Sequence, residues 1–581
     1  MGFQLSPGVV TSEIDLTTIV PAVSTSTGAY AGIFNWGPVG IPTQVSSEID
    51  LVSKFGKPDF NTAMSFFTCS NFLAYGNDLR VVRAANTTSA LSTNKTTSAV
   101  SGAVNTVVVN NSVDYFSNYY SSNNSTAGAF TARYPGSKGN SLQVTVCGSS
   151  SQFSSWTYNT SQPCSTLFSG APGTSTYARN IAGGISANDE MHIVVIDQDG
   201  LFSGRPGTVL ETFPYVSKAS DAKDDTGTSI YYKDVLYTKS KYIYATDYPF
   251  GGANGYQTIG LPVASVMATT NNGGYYVPTS NYTSSLAGGQ DGAPTSGEIY
   301  TAYQQFIDPE NIDISLVLTG TNDPVTTSYL IAATRKDCIA FISPPQSQAQ
   351  SASSIVSWRN TTISTIDSSY VVADSGWKYQ YDKYNDVYRW VPLNGDIAGL
   401  CARTDSTNDP WWSPAGLSRG NILNAVKLYF NPNKTDRDSL YSAGINPVVS
   451  FPGEGIILYG DKTLQSRPSS FDRINVRRLF IVLEKAIARA SRSSLFEFND
   501  EFTRAQFVSL VEPFLRDVKG RRGITDFKVV CDESNNTAQV IDSNQFVGDI
   551  YIKPTRSINF IQLNFVAVRS GVDFSEIVGK F

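Results

Sequence analysis

Apolar and polar residues change their spacing several times along the chain, and each change predicts a different kind of structure. Residues 1–22 contain prolines at positions 7 and 21, which disfavour a helix. The apolar residues of this segment follow the spacing of a strand: Val9, Val10, Ile14 and Leu16. The segment is therefore predicted to be an extended arm. It pairs with the sheet edge of another subunit or, alternatively, pairs within its own domain or frays.

A compact α/β pattern follows over residues 23–85. Gly28 to Phe34 predicts a strand, and Ser47 begins a short capped helix that ends before Pro58. Residues 63–75 predict an apolar helix, and a second strand begins at Leu79. We expect this segment to pack with a later, β-rich part of the chain.

The middle of the chain changes character twice. Residues 86–185 alternate polar loops with short apolar strands, which predicts an inserted β-rich outer domain. Residues 186–300 return to strands and turns, and we expect them to form a β-rich middle domain against which residues 23–85 pack. From 301 to 465, strands such as Ile339–Ile342 alternate with helical patterns. This alternation implies a locally parallel α/β layer.

The last third of the chain carries the sharpest two-faced pattern. Residues 473–494 predict a helix whose apolar residues share one face: Val476, Leu479, Phe480, Leu483, Ile487 and Ala490. Its basic residues form a stripe on the opposite face: Arg478, Lys485, Arg489 and Arg492. A second helix starts after Asn499 or Asp500, and Pro513 is expected to kink it. Three strands close this 466–569 domain, beginning near Phe527, Phe546 and Ile558, and residues 570–581 form a second arm with Val572, Phe574 and Ile577.

Charge separates this last domain from the rest of the protein. The whole chain of 581 residues has a formal net charge of −6, which argues against nucleic acid as its general partner. Residues 467–530 nevertheless hold 13 basic and 8 acidic residues. Such a basic domain fits an acidic partner surface, with the helical stripe as the first candidate and Lys519, Arg521 and Arg522 as the second. The alternative is a solvated helix face with local ion pairs.

The sequence offers little for catalysis. His192 is the one histidine in the chain, and its apolar neighbours predict a strand. The six cysteines are widely scattered, which favours reduced, buried thiols, although a Cys147–Cys164 bridge is an open alternative. No phosphate-binding loop or dinucleotide fingerprint occurs. We therefore predict neither an enzyme nor a cofactor or metal site. No run of about 18 apolar residues occurs, so direct membrane insertion is not expected.

Several strings along the chain resemble the contractile tail sheath proteins of T-even-type phages. The N-terminal strings are Ser6-Pro7-Gly8-Val9, Gly32-Ile33-Phe34-Asn35-Trp36-Gly37-Pro38 and Phe55-Gly56-Lys57-Pro58. The middle strings are Arg133-Tyr134-Pro135-Gly136, Gly139-Asn140, Gly288-Gly289 and Asp291-Gly292. The C-terminal strings are Trp377-Lys378-Tyr379-Gln380-Tyr381, Phe471-Asp472-Arg473-Ile474-Asn475-Val476-Arg477-Arg478 and Gly548-Asp549-Ile550-Tyr551-Ile552. The match is dense from residue 350 onward and thin over about 86–185.

This resemblance implies a virion protein that forms rings of six around a tail tube and contracts from a metastable extended state. It also implies partners in the tube, baseplate and tail terminator, and assembly in the host cytoplasm. The expected fold is α+β and multidomain: an inner, C-terminal α/β sheath core with extended terminal arms, plus inserted β-rich outer domains. Two alternatives remain open, a β-rich phage adhesin, which the region 86–185 would suit, and an α/β enzyme.

Overall fold

The computed structural model describes residues 24–87, 97–102, 107–121, 128–158, 162–183, 186–250, 258–269, 274–325, 334–559 and 561–562. The described chain divides into two compact units. The first holds residues up to 410 together with 414–477, and the second holds residues 411–413 with those from 478 onward. The fold is a mixed helix and strand arrangement with several domains, as the sequence predicts.

The first unit is built on a seven-stranded sheet. In spatial order its strands are Ile445–Asn446, Val371–Asp374, Ile339–Ile342, Leu316–Leu318, Gly28–Gly32, Leu79–Arg83 and Thr43–Val45. All neighbours run parallel except the last pair, which is antiparallel. The predicted strand–helix–strand alternation therefore does produce a parallel layer, and its strands are almost wholly buried.

Among the described residues, six helices belong to this part of the first unit: Glu48–Phe55, Ala63–Leu73, Ser296–Gln304, Ala352–Thr361, Asn394–Thr407 and Lys434–Ser442. The first begins where the sequence predicts, because the Ser47 side chain accepts a hydrogen bond from the Asp50 amide. It ends at Gly56, whose φ of 86° is left-handed and suits glycine. The helical pattern of the sequence predicts a further helix near 325–336, and most of that range lies outside the described residues.

The 23–85 segment joins a different part of the chain from the one expected. Its strand Gly28–Gly32 pairs with Leu316–Leu318, so its sheet is completed by residues 301–465 and not by 186–300. The spacing of apolar residues and the local composition predict where each strand lies. They do not predict which other strand it pairs with. Trp36 does contact the expected segment, because its ring packs against Phe202, and it also packs against Tyr134 in the segment before it.

A second seven-stranded sheet is inserted between two strands of the first. Its strands, in spatial order, are Thr208–Ser217, Glu190–Asp197, Leu142–Cys147, Tyr282–Ala287, Val100–Ser101, Phe130–Ala132 and Ile243–Ala245. All of its pairs are antiparallel. The boundary predicted at residue 185 runs through this sheet, because Leu142–Cys147 pairs directly with Glu190–Asp197.

The inserted part also contains five short helices: Ser112–Tyr115, Ser150–Phe153, Thr176–Ile181, Tyr232–Lys239 and Val263–Thr269. Tyr232 begins the fourth of these helices and Tyr231 precedes it in an extended conformation, although the aromatic pair Tyr231-Tyr232 by itself favours a strand. The insertion begins and ends at one point: Thr97 and Gln290 exchange backbone hydrogen bonds of 3.1 and 3.2 Å, and Asp291 accepts from the Ser137 amide at 2.9 Å.

Smaller sheets complete the first unit. One antiparallel sheet contains the three strands Val387–Pro392, Trp377–Asp382 and Lys427–Leu428. Another sheet pairs Val448–Phe451 with Gly455–Leu458. The pair Thr157–Tyr158 and Gln162–Pro163 forms a third. The family-like string that starts at Trp377 thus lies on a strand with neighbours on both sides.

The second unit packs helices on a two-stranded sheet. It contains the later part of the first long helix, Ile474–Ser491, and all of the second long helix, Glu501–Gly520. The sheet pairs Ile524–Val530 with Asp549–Pro554 in antiparallel register, and a short helix, Ala538–Asp542, lies between these strands in the sequence. The second helix continues through Pro513. The third strand predicted near 558–568 lies almost entirely outside the described residues.

Candidate assembly surfaces

The first long helix has the two-faced surface that its sequence predicts, except in its first turns. Leu479, Leu483 and Ile487 belong to the apolar core of the second unit. On the basic side, Arg489 and Arg492 are exposed and Lys485 is half-buried. The basic stripe is therefore open to solvent only in its later part, with Arg492 in a short turn beyond the helix end.

Arg478 differs from the other members of the predicted stripe. Its exposed fraction is 3%, because every residue from 474 to 479 is buried whichever way it points. A helical period of 3.6 residues places Arg478 in line with Lys485 but does not reveal that this turn is covered on all sides. Arg478 therefore does not add to the exposed basic surface of the isolated chain.

The second basic group lies where the second long helix ends. Arg521 and Arg522 each lie over an indole ring, with guanidinium-to-centroid distances of 5.3 Å to Trp411 and 5.4 Å to Trp412. The Trp411 Nε1 group donates a hydrogen bond of 3.1 Å to the Arg521 carbonyl. These contacts hold both guanidinium groups against the two adjacent indole rings. We call this surface the basic tryptophan end.

Lys519 completes the basic tryptophan end. It is exposed and lies 3.2 Å from Asp526, while Arg521 lies 3.6 Å from Asp517. Both ion pairs are exposed, and such pairs contribute little to stability because water and salt screen them. They therefore leave the surface positively charged overall.

The two-stranded sheet is the second feature relevant to assembly. Its inner face contributes Phe527, Val529, Ile550 and Ile552 to the core of the second unit. Each strand has one partner within the described residues, so each has an outer edge without a described neighbour. Unpaired edges of this kind can accept a further strand, and two strands alone are marginal without added packing. The arm residues proposed to fill such edges, at 9, 10, 14, 16, 572, 574 and 577, lie outside the described residues.

His192 is a strand histidine, as the sequence predicts. It lies in Glu190–Asp197, its Nε2 is 2.9 Å from the Gly170 carbonyl, and its Nδ1 accepts from the Tyr215 amide at 3.0 Å. The Phe168 ring stacks on it with centroids 4.3 Å apart. Burial lowers the pKa of His192, so it is held as a neutral side chain. Both ring nitrogens are occupied by backbone groups and neither is available as a catalytic base.

The cysteines are confirmed as buried and free. This holds for all six, including Cys147 and Cys164, so the alternative of a bridge between them is wrong. Burial raises the pKa of Cys147, which makes its thiol unreactive. Within the described ranges, no cluster of three or more His, Cys, Asp or Glu side chains could hold a metal ion. No helix in that part of the chain combines the length and apolar character needed to cross a bilayer.

A buried charge network in the first unit escaped the sequence analysis. Lys378 donates to Asp396 at 2.8 Å and to the Leu423 carbonyl at 2.9 Å, and the Tyr75 hydroxyl donates to the same carboxylate at 3.1 Å. Asp374 lies nearby at the end of a parallel strand, and its burial raises its pKa to about 8. The sequence signal is misleading, because Lys378, Gln380 and Asp382 alternate with aromatic residues in a pattern that predicts a solvated polar face, yet all three are buried.

An exposed apolar loop between the two long helices also escaped prediction. Its large side chains point into solvent: Leu495, Phe496, Phe498 and Phe502. The sequence signal is a run of aromatic residues among carboxylates with no basic residue, just before the helix that starts at Glu501. We call residues 495–502, which include the first two residues of that helix, the acidic aromatic loop.

Comparison with known proteins defines the class of protein to which these surfaces belong. Three family profiles match the chain, and all describe parts of phage tail sheath proteins. They are the domain III N-terminal region of tail sheath protein Gp18 over residues 25–84, the phage tail sheath central domain over 295–464 and the phage tail sheath C-terminal domain over 466–567. The inserted sheet lies between the first two matches. The parallel sheet and the second unit are therefore the parts that these profiles describe.

Relatives that align over nearly their full length extend the likeness to the whole chain. The tail sheath protein of Vibrio phage KVP40 is 34% identical and the alignment covers 99% of this chain and 100% of the relative. The tail sheath protein of Enterobacteria phage T4 is 35% identical, with 99% of each chain covered. The crystal structure of a sheath tail protein from Listeria innocua shares the fold at a TM-score of 0.50 and 12% identity, covering 92% of this chain and 96% of that one. The chain belongs to the phage tail sheath family and is a structural subunit of a contractile phage tail.

Proposed function

We propose that this protein polymerises as stacked hexameric rings around a tail tube, and that contraction of this sheath drives the tube through the host envelope during genome delivery. The observation that carries the proposal is the relationship to tail sheath proteins over 99% of the chain. A helical polymer of this kind requires contacts between unlike patches of neighbouring copies. The two units supply three such features: open strand edges, an exposed basic helix face and an exposed apolar loop.

The terminal arms link neighbouring copies in this proposal. Residues 1–22 and 570–581 each add a strand to the two-stranded sheet of another copy. Backbone hydrogen bonds hold such a pairing whatever the side chains, while the chain beside it allows rotation. The connection can then persist while other contacts change during contraction.

The later part of the first long helix grips the tube. The exposed Arg489 and Arg492 and the half-buried Lys485 form the contact, with Arg478 buried at its start. Lys519, Arg521 and Arg522 form a separate candidate surface. Exposed charge contacts are individually weak and screened by salt. A grip made of such contacts holds the tube by their number and releases it without a large barrier.

Contraction uses energy stored at assembly. No nucleotide-binding loop occurs in the sequence, so we propose that the extended sheath is kinetically trapped and that the baseplate triggers its release. New contacts between copies in the contracted lattice supply the work. The proposed partners are further copies of this chain, the tail tube, the baseplate and the tail terminator. The protein is proposed to assemble in the host cytoplasm, to catalyse no reaction, and to contact neither nucleic acid nor the membrane interior.

The test is assembly on tail tubes of the same phage. Purified protein is mixed with tubes, sedimented, and imaged by cryo-electron microscopy. The proposal predicts a hollow outer layer with sixfold symmetry on every tube. Tubes that remain bare at high protein concentration would contradict it.

A further inference from the structure

The acidic aromatic loop exposes more apolar surface than a solvated turn requires. The exposed fractions are 63% for Leu495, 105% for Phe496, 84% for Phe498 and 76% for Phe502. Burial of such side chains against a partner is favourable because it removes apolar surface from water. Clustered exposure of this kind marks an interaction surface.

The backbone holds these side chains outward. Asn499 donates from its side chain to the Gln545 carbonyl at 2.8 Å, and Asp500 accepts from the Thr503 amide at 2.8 Å to cap the second long helix. Phe496 has a φ of +71°, a left-handed conformation that is uncommon for an aromatic residue. The loop is therefore anchored at its base and presents its apolar tips in a fixed arrangement, which lowers the entropic cost of docking.

The loop and the basic tryptophan end are complementary in charge and in chemistry. The loop carries Glu497, Asp500 and Glu501, and no basic residue occurs from 493 to 503. At the other end of the same helix, two arginines lie over two tryptophans beside Lys519. No carboxylate of the described residues forms an ion pair with Arg522, whose side chain is exposed.

The two complementary surfaces cannot meet within one copy. They lie at opposite ends of the second long helix, which has 20 residues. At a rise of 1.5 Å per residue, that helix is about 30 Å long. A contact between them must therefore join two copies, head to tail, which is the contact type that builds an open helical polymer.

We propose that the acidic aromatic loop of one copy docks on the basic tryptophan end of the second long helix in a second copy. This inference rests on the proposed function, because it requires a polymer of this chain. It assigns Lys519, Arg521 and Arg522 to a contact between sheath copies in place of the tube. The phenylalanines supply buried area, and the carboxylates fix register against the arginines.

A charge exchange tests this pairing in the full chain. One variant carries Glu497→Lys and Glu501→Lys, and the other carries Arg521→Glu and Arg522→Glu. Each variant alone brings like charges together at every contact, so its critical concentration for polymerisation, measured by sedimentation, should rise roughly tenfold or more. A mixture of the two variants restores opposite charges at every contact, and its critical concentration should return close to that of the wild type.

Two controls separate docking from folding. Glu533→Lys changes an equally exposed carboxylate of the same unit and should leave polymerisation unchanged. Phe496→Asn removes a fully exposed ring at a backbone conformation that asparagine tolerates, so it should weaken polymerisation without lowering the thermal midpoint of the unassembled protein.

Each remaining outcome overturns the inference in a recognisable way. Normal polymerisation of either double variant shows that the two surfaces do not meet. Loss of polymerisation in both variants without rescue in the mixture shows that each surface has another partner. If a double variant polymerises normally by itself but does not assemble on tail tubes, its altered surface contacts the tube and not a second copy. A wild-type chain that forms no polymer at all, with or without tubes, overturns the proposed function as well.

Discussion

The buried carboxyl group of Asp374 shows how one residue links the fold to pH. It accepts hydrogen bonds from the Ser343 hydroxyl at 2.6 Å and the Gly376 amide at 2.8 Å, in a site that is wholly buried. The buried Lys378 forms its ion pair with Asp396, at 2.8 Å, and no ion pair to Asp374 occurs within the described residues. Desolvation therefore dominates, and the pKa of Asp374 rises to about 8.

Replacement of Asp374 with asparagine should remove a pH dependence from stability. The unfolded carboxyl group has a pKa of about 3.9, so between about pH 4 and pH 8 the native state holds a proton that the unfolded chain releases. Stability therefore falls as pH rises through this window, by up to about 1.4 kcal/mol per pH unit. Asparagine resembles the protonated acid and has no such loss.

Thermal unfolding of the unassembled protein from pH 6 to pH 9 checks this prediction. The midpoint of Asp374→Asn should gain on that of the wild type as pH rises and level off above about pH 8. Asp225→Asn, at an exposed turn, is the matched control and should track the wild type. A constant offset between Asp374→Asn and the wild type would contradict the account.

The proposed tube grip makes a salt-dependent prediction at the same scale. Arg489→Glu with Arg492→Glu should weaken binding of the protein to tail tubes roughly fivefold to tenfold at low salt, because exposed charge pairs contribute about 0.2–1 kcal/mol each and reversal adds repulsion. The difference should vanish near 1 M salt, where the screening length is about 3 Å. Arg205→Glu, an exposed arginine of the inserted part, is the control. Equal binding by the variant at low salt would leave this helix face without a role in the grip.

Among the secondary-structure elements, the two-stranded sheet is the one whose isolation calls for an explanation. In the two-stranded sheet of the second unit, neither outer edge has a neighbour among the described residues, so this sheet gains from further strands, and the proposed arms supply them. We predict that backbone amides of Ile524–Val530 and Asp549–Pro554 exchange hydrogen faster in the unassembled protein than in the sheath. Hydrogen exchange followed by mass spectrometry measures this change. Amides of Ile339–Ile342, central in the parallel sheet, should be protected in both states.

The sequence predicted the ends of helices and strands where a cap residue or a short apolar run marks them. Ser47 and Asp500 cap the helices they were expected to start, and the strand Ile339–Ile342 has the predicted bounds. Pairing between distant segments did not follow, because periodicity carries no information about partners. The pairing of Gly28–Gly32 with Leu316–Leu318 is the clearest case.

Candidate site residues were predictable only in part for a similar reason. The helical period placed Lys485, Arg489 and Arg492 on one face, but it could not show that Arg478 lies in a turn that is buried on every side. The acidic aromatic loop was missed because exposed phenylalanines have the same sequence pattern as buried ones. Burial is decided by tertiary packing, which a single sequence does not display.

For the whole molecule, we propose that the extended sheath stores free energy when it assembles and releases it when it contracts. A trapped extended sheath should release heat on contraction, because the contracted lattice forms contacts that the extended one lacks. Differential scanning calorimetry of extended tails should show an exothermic event that coincides with shortening seen by microscopy. Shortening without heat release would contradict a metastable extended state.

Negative-stain microscopy of the purified chain, beside a variant that lacks residues 1–22, tests whether this protein assembles into a sheath by itself. We predict long hollow tubes from the full chain and none from the truncated one, because the arm supplies the link between copies. Tubes from both proteins would keep the sheath polymer but remove the N-terminal arm from its mechanism. Discrete monomers or trimers from the full chain, at high concentration and with tail tubes added, would contradict the account of a self-assembling sheath.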